Sequence, residues 1–315
     1  MAVTRRGLLG GAAAVWALTL IGCAPDNAGP FAIACGEPGG AYLQFGELLR
    51  NALRERSRVE LTLTVTHGSA ENLELLTSGS VDLALSLADT ANEGAAQHGF
   101  VAIGRVYQNY LQCLVLEDSD ISSLADLAGR RVSVGAPGSG SSHTTRRLLA
   151  AMASHGGEAS AGRAAPVVAE LELAPALQAL TTGSIDALFW SGGIPTPEIT
   201  EFSETTPLRL VDLADGVAPL EAAHPREYLD TRIPAGVYGS PKSITTIGIS
   251  NLLMARAELD ASAARALVDV LVVDAARLIP SGSVGLQYLT LATLIDTGSV
   301  PLHPAARKRY RELYR

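Results

Sequence analysis

An internal repeat in two parts constrains the fold of this chain more strongly than any other feature of its sequence. In the first part, strand-like residues 31–35 lead through a Gly-x-Pro-Gly loop at 36–40 into a helical pattern. Residues 131–134 lead in the same way through the loop at 135–140 into a second helical pattern. A strand, a glycine-rich loop and a helix in this order predict one unit of a parallel α/β sheet, present twice.

The second part of the repeat consists of two similar segments, residues 73–85 and residues 177–189. Each copy has a leucine-rich helical pattern, then Gly-Ser, then Val or Ile with Asp, and then a short apolar strand. The glycines, Gly79 and Gly183, are typical of helix ends because glycine adopts the left-handed cap conformation at the lowest cost. Together the two parts predict two similar α/β lobes.

Two strand-like segments connect the predicted lobes. Residues 111–116 and 244–254 are both apolar, and two crossings of the chain make a hinge. We predict that lobe 1 spans residues 31–115 and 249–315 and that lobe 2 spans residues 116–248. The expected architecture is an α/β fold with a ligand cleft between its lobes.

The N-terminal residues resemble an export signal. Arg5 and Arg6 precede a short apolar run that ends in Leu-Ile-Gly-Cys23, which is similar to a bacterial lipobox. We predict a lipoprotein signal of the twin-arginine type over residues 1–22, lipidation of Cys23, and a flexible tether over residues 23–30. The alternative is an uncleaved N-terminal anchor helix.

The charge of the chain argues against nucleic acid as a partner. The formal net charge is −8, and removal of the two arginines of the signal makes it more negative. Later apolar runs are too short to span a membrane, so we expect a lipid-anchored protein outside the cytoplasm. Cys35 and Cys113 lie in apolar segments, which favours buried free thiols, although an oxidising compartment permits a disulfide.

The two glycine-rich loops are the strongest candidates for a binding site. A glycine-rich loop that opens a helix lets the backbone approach a ligand and presents unpaired N–H groups at the positive end of the helix dipole. We expect backbone or hydroxyl donors from Gly39, Gly40, Ser139, Gly140 and Ser141. Either loop alone is equally well explained as a tight turn, but duplication at equivalent positions favours binding across a cleft.

Known catalytic motifs do not fit these residues. A phosphate-binding P-loop needs a lysine after Gly140, where this chain has Ser141. The sequence has no Gly-x-Ser-x-Gly elbow, and its six histidines lack the His-Glu-x-x-His spacing of a metal site. We therefore expect no enzyme, no metal and no cofactor. The competing hydrolase hypothesis would use Ser139 or Ser141 with His143.

Two aromatic residues accompany the predicted site. Tyr42 follows the first loop and Trp190 ends the strand of the second repeat. Each either covers a ligand or fills the hydrophobic interior, and we predict that both pack on the ligand. Arg105 and Arg146 are candidate partners for a carboxylate, although a surface position explains each of them more simply.

Several motifs, in this order and spacing, resemble the TAXI-type solute receptors of TRAP transporters, the tripartite ATP-independent periplasmic transporters. The resemblance covers about residues 32–314 and rests on Gly39-Gly-Ala-Tyr42, Thr66-His-Gly-Ser-Ala-Glu-Asn-Leu73, Val81-Asp-Leu-Ala-Leu85, Ser123-Leu-Ala-Asp-Leu-Ala-Gly129, Gly135-Ala-Pro-Gly-Ser-Gly140, Asp186-Ala-Leu-Phe-Trp190, Ile233-Pro-Ala-Gly-Val-Tyr238 and Pro301-Leu-His-Pro304. It implies a type II periplasmic-binding-protein fold that closes on a small carboxylate and delivers it to a permease driven by an ion gradient. Ser69 and Asp89 are then expected at the rim of the cleft.

The chain departs from the family pattern around the expected pocket. Leu87-Ala-Asp89 stands where Gln-Ser-Asp is usual, while Ala41, Leu43 and His67 replace Thr, Tyr and Gly. These replacements predict a pocket that is less polar than is typical of the family. An apolar or aromatic carboxylate is therefore as well supported a ligand as glutamate.

The expected partners follow from these observations. They are a small anionic or zwitterionic solute, the membrane subunits of a TRAP permease, and the membrane itself through the lipid anchor on Cys23. We expect a monomer. The alternatives are a binding protein of the same fold for an ATP-driven transporter, a sensory receptor and, with less support, a serine hydrolase.

Overall fold

The computed structural model describes residues 30–57, 59–155 and 164–315. The predicted signal peptide, Cys23 and the tether up to residue 29 lie outside the described residues. The first strand, β1 (Phe31–Ala34), follows directly on the predicted tether. None of the described helices is long and apolar enough to span a membrane.

The first half of the molecule alternates strands and helices, as the repeat predicts. β1 pairs in parallel with a strand on each side, β2 and β3. Helix α1 buries Phe45, Leu49 and Leu53, which recur every fourth residue and so lie on one face of the helix. The elements after β1 are α1 (Ala41–Arg56), β2 (Leu61–Thr64), α2 (Ser69–Ser78), β3 (Leu83–Leu87), α3 (Ala88–His98) and β4 (Val101–Leu116).

The second half repeats this arrangement. β5 pairs in parallel with β6 on one side and β7 on the other, as β1 does with β2 and β3. Its elements are β5 (Arg131–Ser133), α4 (Gly140–His155), β6 (Val167–Ala169), α5 (Leu173–Thr181), β7 (Ala187–Gly192), α6 (Pro197–Thr205), β8 (Leu208–Leu210), α7 (Ala214–Ala223) and β9 (Leu229–Ile233).

Two long strands join the halves into one sheet. β4 and β10 (Ile244–Ala255) are antiparallel neighbours in a ten-stranded sheet of order β2-β1-β3-β10-β4-β7-β5-β6, with β8 against β4 and β9 against β10. β10 pairs with β3 at Asn251–Ala255. β4 pairs with β7 from Tyr110 onward, ahead of the lobe boundary predicted after residue 115. Both segments predicted to cross between lobes therefore lie in these two strands.

The C-terminal elements return to the first half. They are α8 (Ala261–Val273), α9 (Leu291–Leu294) and α10 (Pro304–Leu313). Leu267, Val270 and Leu271 on α8 are buried in the same hydrophobic cluster as the inner face of α1. The hydroxyl of Tyr310 on α10 donates to the Ile103 carbonyl of β4 at 3.0 Å, which holds the last helix against the central sheet.

The cysteines confirm one expectation from the sequence. Cys35 and Cys113 are both buried and both free. Burial raises the pKa of the Cys35 thiol to about 12, so this thiol is protonated and unreactive at neutral pH.

Candidate ligand-binding site

The site candidates meet in a cleft between the two halves, at the ends of β1, β5 and β7. The cleft has a volume of about 410 Å³, part of which is open to solvent. Its lining consists of Gly36, Glu37, Gly40, Ala41, Tyr42, His67, Gly68, Ser69, Leu87, Asn109, Ser139, Gly140, Ser141, Trp190, Ser191 and Gly192. The chain thus contributes to the cleft from both glycine-rich loops and from both halves of the sheet.

The two glycine-rich loops have the same backbone turn. The Gly40 N–H donates to the Glu37 carbonyl and the Ser139 N–H donates to the Ala136 carbonyl, each at 3.1 Å. Pro occupies the second position of each turn, and the third position is a glycine with positive φ, +78° at Gly39 and +70° at Gly138. This is the pattern of a type II turn, which needs glycine at its third position. The equivalence of the two loops in the sequence therefore extends to their backbone.

Three helices begin at the cleft. Gly40 precedes α1, Gly68 precedes α2, and α4 begins at Gly140. The first N–H groups of a helix have no partner within it, and a glycine before the helix offers no side chain to accept from them. At α2 the N–H groups of Ala70 and Glu71 donate to the Gly138 carbonyl, and at α4 the Ser142 N–H donates to Ser139 Oγ. The other first N–H groups, at α1 and at the start of α4, and the positive ends of three helix dipoles make the cleft suitable for an anionic group.

The halves touch where α2 meets the second loop. The Ala70 N–H donates to the Gly138 carbonyl at 3.1 Å. A Cβ atom at Gly140 would lie 2.6 Å from Leu87 Cδ1 and 2.7 Å from Ser69 Oγ, so only glycine fits there without displacement. The cleft is thus closed along this edge by direct contact between the halves.

The serine hydroxyls that line the cleft already accept hydrogen bonds from the protein. Ser139 Oγ accepts from the Ser142 N–H at 3.0 Å, and Ser141 Oγ accepts from the Ser191 N–H at 2.8 Å. Ser69 Oγ accepts from the Leu87 N–H and lies 3.0 Å from the Tyr42 hydroxyl. A hydroxyl has one donor besides its lone pairs. Ser139 and Ser141 are therefore held in place with a hydrogen left to donate.

Tyr42 and Trp190 are almost fully buried in the walls of the cleft. The Trp190 indole N–H donates to Thr196 Oγ1 at 3.1 Å, and Tyr42 bonds Ser69, so the polar atoms of both residues have protein partners. A Cβ at Gly40 would be 3.9 Å from the Trp190 ring. The indole therefore faces the first loop across the cleft, where it offers an apolar surface.

Two residues predicted for the site do not line the cleft. Gly39 is exposed on the outside of its turn. Asp89 is fully buried and absent from the lining, so its predicted position at the rim is wrong. Ser69 is equally buried, so it is not at the rim either, but it lines the interior of the cleft. Helix α3 begins directly after β3, and its first turn directs the Asp89 carboxylate toward Thr144 Oγ1 and the Tyr228 hydroxyl, which donate to it at 2.7 and 2.9 Å. Asp89 thus bonds the two halves together behind the cleft.

Glu37 is the charged residue of the cleft that the sequence did not indicate. It lies within the first loop, between Gly36 and Gly39, and the residue is only 9% exposed. Its Oε2 accepts from the Leu173 N–H at the start of α5 at 3.2 Å, across the cleft from its own loop. Its Oε1 is buried and has no partner among the described residues. Burial raises the pKa of Glu37 to about 7.

Asn109 is a second residue that the sequence did not indicate. It lies in the middle of β4, where nothing distinguishes it from an ordinary buried strand residue. Its side-chain amide donates to the Ser191 carbonyl at 3.0 Å, and its oxygen accepts from Asn251 of β10 at 2.9 Å. It therefore connects both crossing strands to the end of β7.

No arginine or lysine lines the cleft in the described part of the chain. Arg105 pairs with Asp296 at 3.0 Å and stacks on Tyr288, and Arg146 pairs with Glu170 at 3.1 Å. His67 is the cationic candidate, since its bond to Glu71 raises its pKa. Any anionic group in the cleft would therefore be held mainly by neutral N–H and O–H donors.

The described residues show no catalytic arrangement at these serines. Neither Ser139 nor Ser141 bonds His143, whose Nε2 is buried without a hydrogen-bond partner. A serine nucleophile requires a base within hydrogen-bond reach. Groups of three or more potential metal ligands are likewise absent from the described residues.

A second cavity, of about 540 Å³, adjoins the cleft at Ala41. Its lining includes Phe45, Tyr107, Ile194 and the segment from Pro280 to Gln287, and it contains no charged side chain. Ala41 lines both spaces, and Gly193 of the cavity lies beside it, since a Cβ at Gly193 would be 3.5 Å from the Ala41 side chain. Because two of the helix N-termini and Glu37 belong to the cleft and not to this cavity, the cleft is the better candidate site.

Comparison with known proteins supports the architecture. A protein of Bordetella bronchiseptica RB50 aligns with a TM-score of 0.53 at 15% identity, over 91% of this chain and 98% of its own. Tv2483, solved with bound L-arginine, aligns with a TM-score of 0.51 at 16% identity, over 82% of this chain and 93% of its own. The alkanesulfonate-binding protein SsuA from Xanthomonas axonopodis pv. citri, solved with MOPS, aligns with a TM-score of 0.47 at 16% identity, over 90% and 83%.

At these identities the similarity concerns the fold alone. The α/β architecture of this chain is the type II periplasmic-binding-protein fold, as the resemblance to TAXI-type receptors implies. Residues 33–313 match the model of the NMT1-like family, which is nearly all of the described chain. The chain belongs to the NMT1-like family.

Proposed function

We propose that this protein is an extracytoplasmic solute-binding protein that captures a small solute in the cleft and delivers it to a membrane transporter. The observation that carries the proposal is the meeting of three helix N-termini, from both halves of the molecule, at one cleft. Such a cleft at the ends of parallel strands is where open α/β sheets bind their ligands.

The cleft offers an anionic group several neutral donors. The unpaired N–H groups at the starts of α1 and α4 and the hydroxyls of Ser139 and Ser141 all lie in its lining. Hydrogen bonds to a charged group contribute about 1.5–3 kcal/mol each. The Gly40 N–H is used within its own turn, so the donors that we propose at α1 are the N–H groups of Ala41 and Tyr42. At α4 they are the N–H groups of Gly140 and Ser141 and the two serine hydroxyls. Tyr42 and Trp190 pack on the apolar part of the solute.

Closure of the halves on the solute is part of the proposal. The halves are joined by β4 and β10, and separate contacts bridge them: Ala70 with Gly138, Asp89 with Thr144, and Arg147 with Glu93. These contacts lie outside the crossing strands and can break while the strands stay paired. A solute that contacts both halves would favour the closed arrangement, because it binds that arrangement more tightly than an open one.

Two kinds of membrane transporter are candidates for receiving the solute. The resemblance to TAXI-type receptors suggests a TRAP permease, and the alternative is an ATP-driven transporter with a binding protein of the same fold. The match to the NMT1-like family gives the ATP-driven transporter more support. Inspection of the neighbouring genes for an ATPase or for TRAP membrane subunits separates the two. A sensory receptor would bind solute in the same way but pass its closed state to a signalling protein.

The anchor at Cys23 belongs to the proposal as well. A diacylglyceryl group there would keep the binding protein beside its transporter and restrict its search to the membrane surface. Metabolic labelling with a radioactive fatty acid should label the native chain and leave Cys23→Ser unlabelled. Equal labelling of both chains would remove the anchor from the proposal.

The binding function is tested with the chain that lacks its signal peptide. Its melting temperature is recorded with a panel of amino acids, carboxylates, sulfonates and amines. A solute at a hundred times its dissociation constant should add about 2.7 kcal/mol to the free energy of unfolding and raise the melting temperature by several degrees. If no member of the panel stabilises the protein, the proposed function fails.

A further inference from the structure

Glu37 has an unusual position for a carboxylate. It lines the cleft, is 9% exposed, and reaches across to the Leu173 N–H with only one of its two oxygens. The other oxygen, Oε1, is buried without a hydrogen-bond partner among the described residues. A buried oxygen without a partner destabilises the protein, and more so when its group is ionised than when it is neutral. Such an oxygen in a binding cleft indicates that the partner comes from outside the protein.

The residues around Glu37 do not supply a positive charge that would balance its carboxylate. Glu172 and Glu198 lie close enough to raise its pKa further. The hydrogen bond from the Leu173 N–H lowers that pKa, and among the described residues His67 is the one charged group that also lowers it. His67 is itself bonded to Glu71 and lies 3.3 Å from Glu172. The region around Glu37 therefore carries an excess of negative charge that a cationic solute group would balance.

We propose that Glu37 Oε1 accepts an N–H from a protonated amino group of the solute, so that the natural ligand is an amino-bearing zwitterion and not a simple anion. The inference rests on the proposed function and narrows its ligand class. The acidic end of the solute is held by the N–H groups at the starts of α1 and α4, and its ammonium group pairs with Glu37. A dicarboxylate of the same length would place its second charge against Glu37 and be repelled.

Binding of the amino group should release a proton from Glu37, which makes the affinity depend on pH. When the cleft is empty, burial raises the pKa of Glu37 to about 7. Binding of an ammonium group to the protonated carboxyl releases that proton to solvent, while the ammonium keeps its own protons. The affinity for the amino-bearing solute should therefore increase as pH rises through 7. Deprotonation of His67 acts in the same direction, since protonated His67 repels an ammonium group, so a His67→Gln variant is needed.

The test uses calorimetric titration with pairs of solutes that differ only in the amino group: glutamate with glutarate, phenylalanine with 3-phenylpropanoate, and taurine with ethanesulfonate. Each pair is titrated at pH 6, 7 and 8 into wild type, Glu37→Gln, His67→Gln and Glu172→Gln. Gln at 37 keeps an acceptor for the Leu173 N–H, and Glu172 is a half-exposed neighbour that serves as the matched control.

We expect at least one amino-bearing member to bind ten times more tightly than its desamino partner. Glu37→Gln should remove that preference and the part of the pH dependence that His67→Gln retains, whereas Glu172→Gln and His67→Gln should keep the preference. The inference is overturned if the desamino members bind equally well, if Glu37→Gln leaves the preference intact, or if affinity falls as pH rises through 7. Each of these results leaves the solute-binding function standing. Failure of all six solutes and of the wider panel overturns both.

Discussion

The two glycine-rich loops share one backbone turn but differ in the residue before the proline. In the first loop this residue is Glu37, and in the second it is Ala136. The first loop thereby brings a carboxylate into the cleft, while the second loop presents serine hydroxyls and contacts the opposite half through Gly138 and Gly140. The duplicated turn therefore shapes the cleft from both halves of the molecule. The residues beside it differ in role: Glu37 of the first loop provides a charge, whereas the second loop provides the contact between the halves.

The largest effect that we predict concerns the charge of the first loop. The pKa of Glu37 rises from an ordinary 4.5 to about 7 in the folded protein. Between these pH values the folded protein retains a proton that the unfolded chain has lost. The free energy of unfolding should therefore fall as pH rises through this range, by about 3 kcal/mol in total.

The variant Glu37→Gln should remove this decline and be more stable than wild type at pH 8, although it binds solute less well. Urea unfolding of the solute-free proteins at pH 5, 6, 7 and 8 measures the difference. The exposed Glu74→Gln serves as control and should follow wild type. Parallel pH profiles for wild type and Glu37→Gln would show that the first loop carries no such charge effect.

The next effect concerns the bonds that hold α4, the helix after the second loop, against the first half. Asp89→Ala removes the acceptor for Thr144 and the Tyr228 hydroxyl. Because both donors are left unpaired in a buried place, we expect the free energy of unfolding to fall by about 2–3 kcal/mol. Asp118→Ala, in an exposed turn, should change it by less than about 0.5 kcal/mol. Equal results for the two variants would contradict the role given to Asp89.

A third prediction tests the close contact of the second loop. A Cβ at Gly140 would overlap Leu87 and Ser69, so Gly140→Ala should cost about 1–3 kcal/mol and lower solute affinity at least tenfold by keeping the halves apart. Gly193→Ala introduces the same methyl group at 3.5 Å from Ala41, an ordinary contact. Calorimetry on both variants measures the contrast. Native affinity in Gly140→Ala would show that closure at this edge does not govern binding.

The smallest predicted effect concerns a single hydroxyl of the second loop. Ser141→Ala leaves the Ser191 N–H without its acceptor and removes one donor from the cleft. We expect a loss of about 1 kcal/mol in stability and a two- to tenfold loss in affinity. Ser184→Ala, an exposed serine after α5, is the matched control for thermal melting and titration. An unchanged affinity in Ser141→Ala would take this hydroxyl out of the site.

Local patterns made the elements and both loops predictable from the sequence. The turn residues Pro and Gly and the helical spacing of apolar residues act within a few positions of the chain, so they can be read without the fold. Gly40, Gly140 and Trp190 were found in this way. The burial of Glu37 depends on contact with Leu173, a residue 136 positions away. Because the two residues are so far apart in the chain, no local sequence pattern predicts this contact.

The misplacement of Asp89 has a similar cause. The resemblance to known receptors suggested a rim position, but α3 follows β3 without a loop, and this turns the carboxylate toward α4. The direction of a side chain at the junction of two elements depends on the packing of a third element. The sequence alone therefore predicts which segments meet at the cleft better than which side chains face it.

The central claim is that a solute binds in the cleft between the two loops. The chain has two tryptophans, Trp16 in the predicted signal and Trp190 in the wall of the cleft. Titration of the signal-less protein with the best-binding solute should give a saturable change in Trp190 emission with the dissociation constant that calorimetry measures, and Gly140→Ala should weaken both together. Calorimetric binding that leaves Trp190 emission unchanged in wild type, with undiminished affinity in Gly140→Ala, would place the solute elsewhere and contradict the claim.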